Sequence, residues 1–417
     1  MNTNTKSVSK VNAFFNKLKK YNSHNIIIYS NQENSLKDAI LSDARLNKIS
    51  KIDGELITVK PNIKVANFPY TGGIKHFEGS VSKDDDPIIK RIKENGGIVV
   101  GSTNMDEAAF GGDTSTGFYG RCINPNNKKL SVGGSSGGSA AAIASGLVNF
   151  SIGTDTMGSI RIPASYCGIV GFKPSSSMTD NDDLILLSDT YDTIGFHSNN
   201  IFNINNLHEI INSTNYNCGY KPINKIKCLV PNQIFNNDIN KDIIEGFKEA
   251  LLKIEKNGVN IEYNDMNFWE PNFHRKLLLK IVENEGAKNL KELLEDEASY
   301  ISEHLRNNLL FGKSIDNKKI KNFKLELQKL KSLTQKAFQD FDFILTPTTP
   351  QNSFQIKDKT PTNQANFTSL ANIADLPALS LPFCHNKENN HSIQIIASNQ
   401  NDSFLLKTSS FFEKFLQ

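Results

Sequence analysis

The stretch that decides the fold of this chain is residues 131–174, SVGGSSGGSAAAIASGLVNFSIGTDTMGSIRIPASYCGIVGFKP. It concentrates glycine and serine on both sides of an alanine-rich segment that ends at Gly146. Alanine favours a helix, and a glycine directly after such a segment favours the end of that helix. The stretch therefore predicts a loop, a short helix, a strand and a second loop, with serines in each loop.

The two serine sites differ in the backbone that surrounds the serine. Residues 133–139, GGSSGGS, have glycines on both sides of the serines, and glycine lets the backbone adopt conformations that a Cβ atom forbids. Residues 154–161, TDTMGSIR, follow an apolar run at 147–152 that predicts a strand. A serine just after a tight polar turn can lie beside free backbone N–H groups, which bind a negatively charged oxygen. Ser159 is therefore the better candidate for a nucleophile.

A serine hydroxyl is a weak nucleophile and needs a base. None of the eight histidines lies inside either serine segment, although folding can bring a distant one to the site. Buried polar groups normally have hydrogen-bond partners, so most of these histidines are better explained as surface or core residues. A lysine is another known partner for a catalytic serine. The residues alone leave the choice between histidine and lysine open.

Three segments together resemble the amidase signature family. They are the GGSSGGS loop, the segment GTDTMGSIRIPASYCGIVGFKP at residues 153–174, and a lysine that ends the strand predicted within IDGELITVKPNI, residues 52–63. The resemblance implies that Ser159 forms the acyl-enzyme, that Ser135 is the bridging serine and that Lys60 is the base. Ser135 precedes Ser159 by 24 residues, a spacing that agrees with the family.

The resemblance also implies how such a site works. Neutral Lys60 takes a proton from Ser135, which takes one from Ser159 as Ser159 attacks an amide carbonyl. A lysine that is neutral near pH 7 requires burial or nearby positive charge to lower its pKa. In the family the bridging serine follows a cis peptide bond, and we expect neither a metal nor a cofactor here. The backbone N–H groups that would hold the tetrahedral oxyanion belong to Thr156, Met157, Gly158 and Ser159, and the side chains that would orient this loop belong to Asp155 and Arg161.

The sequence departs from the family pattern at three positions. Leu56 stands where proline is usual, Pro61 where aspartate is usual, and Met157 where many members have glycine. Pro61 removes a backbone donor and restricts Lys60 to an extended backbone. Because the oxyanion donors are backbone groups, we expect Met157 to preserve them and to narrow the pocket.

Two rival motifs do not fit the context that they require. Residues 133–137 and 134–138 both match G-x-S-x-G, but a nucleophile elbow needs an apolar strand directly before it. Residues 124–130 are not apolar enough to be that strand. The loop also lacks the Gly-Lys-Ser/Thr ending of a phosphate-binding P-loop. The sequence therefore predicts neither a nucleophile elbow nor a P-loop.

Capping residues predict two further helix starts. Small polar side chains accept hydrogen bonds from the free N–H groups at a helix N-terminus. Asn34 or Ser35 is predicted to cap a helix at residues 35–46. Asn104 and Asp106 are predicted to act as caps rather than as catalysts.

We expect the chain to form a single α/β domain, residues 1–417, with an amidase-signature-like mixed central β-sheet covered by helices on both faces. The signature core lies at about 54–174. Mixed charges on amphipathic patterns predict a helical subregion at about 268–335. Apolar segments at about 341–417 resemble the C-terminal core of the family, where a late strand and loop close over the site.

Composition narrows the function further. The net charge of +3 is small for 417 residues, so we expect neither a nucleic acid nor a membrane as a partner. Five cysteines without C-x-x-C spacing argue against a disulfide framework and favour a reducing compartment. The polar, basic start of the chain lacks the apolar core of a signal peptide, and no run approaches membrane-spanning length. We expect a cytoplasmic enzyme.

Three functions remain open. The first is a stand-alone hydrolase that acts on a small-molecule amide, for which a homodimer is one option. The second is the related A subunit of a tRNA-dependent glutamyl amidotransferase, which releases ammonia from glutamine for partner subunits. Residues 268–330 are more similar to general amidases, which favours the hydrolase. The third is a binding protein that keeps the fold without the activity.

Overall fold

The protein is described by a computed structural model that covers residues 6–176, 184–212, 221–236, 238–296, 298, 300–386 and 389–416. Residues 1–5, which belong to the polar start of the chain, lie outside these ranges. Cys218, one of the five cysteines counted above, also lies outside them. Cys122, Cys167 and Cys228 are buried free thiols.

One sheet of eleven strands, counted over the described ranges, forms the centre of the protein. In chain order the strands are β1 Ile27–Ser30, β2 Leu56–Val59, β3 Ile98–Thr103, β4 Phe150–Asp155, β5 Val170–Lys173, β6 Thr193–Ser198, β7 Lys227–Pro231, β8 Asn260–Asn264, β9 Phe343–Pro347, β10 Ala378–Asn386 and β11 Asn389–Ala397. Their order in space is β1-β3-β2-β4-β6-β5-β10-β11-β9-β7-β8. The pairs β2–β3, β2–β4, β7–β8 and β7–β9 are parallel and the others antiparallel, so the sheet is mixed.

Helices surround this sheet. In chain order they are α1 Ser7–Lys20, α2 Gln32–Asp43, α3 Pro87–Glu94, α4 Gly137–Ala144, α5 Arg161–Cys167, α6 Ile201–Ile211, α7 Lys241–Lys256, α8 Pro271–Asn289, α9 Lys291–Glu295, α10 Glu303–Ser314, α11 Asn317–Ala337, α12 Ser369–Ile373 and α13 Asp402–Leu416. The predicted helical subregion corresponds to α8, α9, α10 and α11.

Strand alternation explains why both faces of the sheet are covered. Successive side chains of a strand point to opposite faces. Ile57 and Val59 of β2 belong to the larger apolar cluster, which includes residues of α3, α6, α7 and α8. Leu56 belongs to a second cluster with residues of α1 and α4. The predicted α/β fold, a mixed sheet with helices on both faces, is confirmed.

The neighbours β2 and β4 bring the two ends of the signature core together. These strands are parallel, so their C-terminal ends lie at the same edge of the sheet, where α/β proteins commonly bind ligands. Lys60 directly follows β2 and Asp155 is the last residue of β4. The Lys60 N–H donates to the Ile152 carbonyl, at an N···O distance of 3.0 Å. The paired strands therefore fix the backbone positions of Lys60 and of the first residue of the second serine loop.

The C-terminal segment joins the same sheet. β10 pairs with β5, which follows the second serine loop, and β11 pairs with β10 and β9. The short helix α12 lies just before β10, and its N-terminal side faces the loop at residues 156–160 through Thr368, whose hydroxyl donates to the Met157 carbonyl at 2.6 Å. A segment more than 200 residues later in the chain thus supports the second serine loop.

Two local predictions require correction. The strand predicted at 147–152 starts only at Phe150, because the Leu147 N–H still bonds the Ala142 carbonyl at the end of α4. The cap of α2 is neither Asn34 nor Ser35. It is Asn31, whose Oδ1 accepts a hydrogen bond from the Asn34 N–H at 3.0 Å.

The capping roles predicted for Asn104 and Asp106 are also wrong. The Asn104 side chain donates to the carbonyls of Asn25 and Gly120, so it joins two loops. Asp106 precedes a short 3₁₀ helix, but its side chain does not cap that helix. Its carboxylate instead organises a loop at residues 114–116, which lies beside the first serine site.

Candidate active site

Lys60 lies at the centre of a buried cluster of hydroxyl groups. Its side chain is fully buried, and its Nζ lies 2.8 Å from Ser135 Oγ, 2.9 Å from Ser136 Oγ and 2.8 Å from Thr154 Oγ1. The first two hydroxyls come from the loop before α4, and the third comes from β4. The fold thus brings the predicted Lys60 and Ser135 into direct contact.

Burial strongly perturbs Lys60. Desolvation lowers the pKa of Lys60 from 10.5 to about 7, although the charges of Asp106, Asp192 and Asp155 act in the opposite direction. The three hydrogen bonds of Nζ described above all join it to neutral hydroxyl groups. A large fraction of neutral amine near neutral pH follows, which is the form that can accept a proton.

The two adjacent serines have different partners. Ser136 donates its hydroxyl hydrogen to the Thr154 carbonyl at 2.9 Å, so towards Lys60 it can only accept. Among the described residues, Ser135 Oγ has Lys60 as its hydrogen-bond partner. When Lys60 is neutral, Ser135 is therefore free to donate its hydroxyl hydrogen to Nζ.

The backbone around Ser135 is tightly enclosed. The Gly134–Ser135 peptide bond is cis, as the family resemblance implied. A Cβ atom on Gly134 would lie 2.3 Å from Asp106 Oδ2, so only glycine fits there. That Asp106 carboxylate accepts backbone N–H groups from Thr114, Ser115 and Thr116 at 2.9–3.2 Å. The Ser135 carbonyl in turn accepts the Asp106 N–H at 3.1 Å.

Ser159 lies at the second serine loop and faces a cavity. Its exposed fraction is 9 %, the largest among Lys60, Ser135 and Ser159. The Ser159 carbonyl accepts the Ser136 N–H at 3.3 Å, which joins the two serine loops. Within the described ranges, no hydrogen bond joins the Ser159 hydroxyl to Ser135 or to another residue. Hydrogen bonds between catalytic groups often tighten only when substrate binds.

Asp155 fixes the turn that carries Ser159. Its Oδ1 accepts the Gly158 N–H at 2.8 Å, and its Oδ2 accepts the Ile160 N–H at 3.1 Å. Gly158 has φ +134°, and a Cβ atom there would lie 2.3 Å from Thr368 Oγ1. A glycine is therefore required where the loop passes α12.

Of the backbone N–H groups that were predicted to bind an oxyanion, one already has an acceptor within the protein. Because the Gly158 N–H donates to Asp155, that group is directed at the carboxylate, and the predicted role of Gly158 as an oxyanion donor is corrected. The N–H groups of Thr156, Met157 and Ser159 have no acceptor among the described residues. Three backbone donors thus remain at this turn.

Asp155 and Arg161 form a fully buried ion pair. Arg161 Nε and Nη2 lie 3.0 Å and 2.8 Å from the two carboxylate oxygens. Burial opposes ionisation of Asp155, but the Arg161 charge and hydrogen bonds from Arg161 and Asn372 lower its pKa to about 2. The remaining Arg161 hydrogens reach the Thr368 carbonyl, Gln394 Oε1 and Asn372 Oδ1, all at 2.7 Å. The pair therefore joins the turn that carries Ser159 to the C-terminal segment.

Ser159 opens into a cavity of about 490 Å³. Its walls are mostly apolar on the side of Phe110, Ile162 and Leu187, with Met157 beside Ser159. Helix α8 supplies another wall, which contains Arg275 and Glu283. Ligand sites commonly combine such apolar walls with a few polar groups. The cavity is large enough for a small organic molecule.

Sequence reasoning missed several residues of this site. Ser136 and Thr154 complete the hydroxyl cluster around Lys60, and Asp106 shapes the loop beside Ser135. The adjacency of Ser136 to Ser135 was a usable signal. Arg275 and Glu283 were read only as part of a charged amphipathic helix, because helical periodicity does not show which polar residues face a cavity.

The buried histidine nearest the second serine loop is not arranged as a base. His197 Nε2 lies 2.8 Å from the Ile160 carbonyl, and burial lowers the pKa of His197 to about 4. Over the described residues, no group of three or more His, Cys, Asp or Glu side chains is arranged to hold a metal ion. None of the helices in that part of the chain combines the length and apolar character of a membrane span.

Comparisons with known proteins identify the family of the chain. The sequence model of the family described as Amidase matches residues 9–406. The A subunit of the glutamyl-tRNA(Gln) amidotransferase of Endomicrobium trichonymphae is 29% identical, with 98% of this chain and 93% of that protein covered. The corresponding subunit of Campylobacter jejuni (strain RM1221) is 30% identical, with 89% and 91% covered. The chain therefore belongs to the amidase signature family of enzymes.

Solved structures share the whole fold. A crystal structure of an amidase superposes with a TM-score of 0.92 over 99% of this chain and 97% of that chain, at 23% identity. The A subunit of the glutamyl-tRNA(Gln) amidotransferase of Thermotoga maritima superposes with a TM-score of 0.80 over 96% and 90%, at 26% identity. Similarity in sequence thus extends to amidotransferase subunits, and similarity in fold extends to amidases as well.

Proposed function

We propose that the protein is an amide-bond hydrolase that uses Lys60, Ser135 and Ser159. The observation that carries the proposal is the contact of 2.8 Å between Lys60 Nζ and Ser135 Oγ, at a lysine whose pKa burial lowers to about 7. A weak serine nucleophile needs a base of this kind. Of Ser135 and Ser159, Ser159 is the one that lines the cavity, where a substrate can contact it.

The first half of the reaction forms an acyl-enzyme. Neutral Lys60 takes the hydroxyl proton of Ser135, and Ser135 takes the proton of Ser159 as Ser159 Oγ bonds to the amide carbon. The carbonyl π electrons move to the oxygen, and the backbone N–H groups of Thr156, Met157 and Ser159 stabilise the oxyanion. One such donor contributes about 3 kcal/mol to catalysis. The proton then passes from Lys60 through Ser135 to the leaving nitrogen as the C–N bond breaks.

The second half releases the product acid. Water gives a proton to the same relay and attacks the ester carbon of acyl-Ser159. The new tetrahedral intermediate collapses, the C–O bond to Ser159 breaks, and the proton returns to Ser159 Oγ. Ammonia or an amine and a carboxylic acid are the net products, so the cycle consumes one amide and one water. The chain of proton transfers uses groups that are present in the protein.

A second candidate function is the glutaminase A subunit of a tRNA-dependent glutamyl amidotransferase. The curated relatives named above are such subunits, and the similarity covers nearly the whole chain. The resemblance of residues 268–330 to general amidases argues for the hydrolase. Expression in the native host with an affinity tag distinguishes the two, because stoichiometric co-purification of other subunits would favour the second candidate.

A third candidate, a binding protein without activity, is less favoured. A fully buried lysine whose amine contacts neutral hydroxyl groups is destabilising, and a binding role would not need to retain it. Labelling with a serine-directed fluorophosphonate tests this point. We expect one label on the intact protein, its loss in S159A, and much slower labelling in S135A than in the control S145A, whose hydroxyl bonds the Ala142 carbonyl near the end of α4. An intact, folded protein that takes no label would contradict the hydrolase.

A further inference from the structure

The cavity that contains Ser159 also contains a buried carboxylate that has no role in the proposed reaction. Glu283 lies on α8, has an exposed fraction of 5 %, and lines the cavity that contains Ser159. Among the described residues, none donates a hydrogen bond to its carboxylate and none forms an ion pair with it. A buried polar group without a partner is destabilising, so such a group in a ligand cavity indicates a function.

The other carboxylate and the guanidinium that line this cavity have protein partners, and the lining His304 packs against the ring of Phe110. Asp113 pairs with Arg121 at 2.9 Å and accepts the Ser115 hydroxyl at 2.6 Å. Arg275 donates through Nε to Asn366 and through Nη2 to Asn272. Among the described residues, Glu283 is thus the lining carboxylate without a hydrogen-bond or ion-pair partner, and the nearby Lys280 charge offsets the effect of its burial only in part.

The position of Glu283 separates it from Arg275. Arg275, Leu279, Val282 and Glu283 line the cavity from one side of α8, which fits helical spacing. Eight residues of α-helix correspond to about 12 Å along the axis between the first and the last. The apolar side chains of Leu279 and Val282 lie between them. The cavity therefore has an apolar strip with the Glu283 carboxylate at one end and the Arg275 guanidinium at the other.

We propose that Glu283 recognises a protonated amine on the substrate, so that the preferred substrate is an amide with a cationic group separated from the carboxamide by an apolar chain. This inference rests on the proposed function, because it assigns the substrate of the same site. A bound ammonium group would supply both the opposite charge and the hydrogen-bond donors that the carboxylate lacks. The apolar strip would contact the methylene chain.

The ionisation of Glu283 agrees with this role. Burial raises the pKa of Glu283 to about 7, and the nearby Lys280 charge acts in the opposite direction. An ammonium group at the carboxylate would favour its ionised form. Substrate binding and ionisation of Glu283 would therefore support each other.

The test compares matched amides of the same length. Wild-type protein and E283Q are assayed for kcat/KM on a series of ω-amino primary amides and on the alkyl amides in which a methyl group replaces the ammonium. We expect the wild type to prefer the ω-amino amide by about tenfold or more, and E283Q to lose that preference through KM. The alkyl amides should change by no more than about threefold. Exposed Glu292 provides the control variant E292Q, which should behave as wild type.

Two outcomes would overturn the inference. One is a wild-type protein that does not favour any ω-amino amide over its alkyl partner. The other is an E283Q variant, shown to be folded by its thermal unfolding, that loses activity equally on both series. If the wild type hydrolyses neither series, calorimetric binding of the same amides to S159A and S159A/E283Q decides the role of Glu283 independently of the proposed function. Equal binding of both series to S159A would then refute that role.

Discussion

Lys60 Nζ and Ser135 Oγ lie 2.8 Å apart although 75 residues separate them in the sequence. Both side chains are fully buried. Lys60 stands at the end of β2, and Ser135 belongs to the loop that leads into α4. The contact depends on the parallel pairing of β2 with β4, which places the Lys60 amine beside the hydroxyl cluster. The central claim, that this pair activates Ser159, makes the following predictions.

Replacement of Lys60 should abolish most of the activity. K60M removes the base but keeps an unbranched apolar side chain, so we expect kcat to fall by about 10²- to 10⁴-fold, the usual contribution of general base catalysis. Steady-state kinetics on the best amide substrate measures this change. The exposed lysine of α3 provides the control K90M, which should retain wild-type kinetics. Near-normal turnover by K60M would show that another group is the base.

The activity should rise with pH through about 7. Lys60 accepts a proton only when it is neutral, and its pKa lies at about 7, so the active form is lost as the pH falls below that value. The pH profile of kcat/KM on a neutral alkyl amide measures this transition. The pKa of Glu283 also lies at about 7, so the profile is measured for E283Q as well. A transition that remains in E283Q belongs to Lys60 and not to Glu283. A rate that falls as the pH rises from 6 to 8, roughly one unit on either side of that pKa, would contradict a lysine base.

Removal of Arg161 should destabilise the fold. R161M leaves the Asp155 carboxylate buried and unpaired, so we expect the free energy of unfolding to fall by about 3–5 kcal/mol. Urea unfolding of wild type and variant measures the difference. K51M breaks an exposed ion pair to Glu209, which typically contributes no more than about 1 kcal/mol, and serves as the control.

The same pair makes a pH prediction. The pKa of Asp155 is about 2 in the folded protein, below the value of about 3.9 in an unfolded chain. The unfolded state therefore binds more protons between these values, so this contribution to stability is present above pH 4 and is lost towards pH 2, roughly the interval between the two pKa values. D155N should remove that acid-dependent part of the unfolding free energy. An unchanged acid dependence in D155N would contradict the assignment.

A methyl group at Gly158 should distort the turn that carries Ser159. In G158A the new Cβ would lie 2.3 Å from Thr368 Oγ1, at a backbone φ of +134° that favours glycine. We expect kcat to fall by about 10²-fold or more, since a small displacement of reacting groups has that effect. Gly79 also has a positive φ but has open space at its Cβ position, so G79A is the matched control and should retain activity. Equal kinetics of the two variants would mean that the turn tolerates the displacement.

Local sequence predicted the fold class and many of the strands and helices. The glycine-serine stretch at 131–174 combines a helix former, a helix end and an apolar strand in one short segment, and its resemblance to a known family supplied the mixed central sheet with helices on both faces. The start of β4 was misplaced because Leu147 is apolar and yet belongs to the end of α4 through its N–H bond to Ala142. An apolar run shows which residues are buried, but it does not show at which residue the last hydrogen bond of the preceding helix lies.

Long-range contacts could not be predicted in the same way. The role of Asp106 depends on three N–H groups of a loop that turns back towards it, and no local pattern indicates that return. Arg161 bonds Gln394, which is 233 residues away. Glu283 looked like any other charge of an amphipathic helix, because only the packed structure shows that it faces the cavity.

Ammonia release by the purified protein alone tests the central claim most directly. The wild type and S159A are assayed in parallel on a panel of primary amides that includes the ω-amino amides, their alkyl partners, glutamine and asparagine. The account predicts ammonia release from at least one amide by the wild type, and loss of that release in S159A. Release that persists in S159A, or a folded wild-type protein that releases no ammonia from any of them, would contradict it.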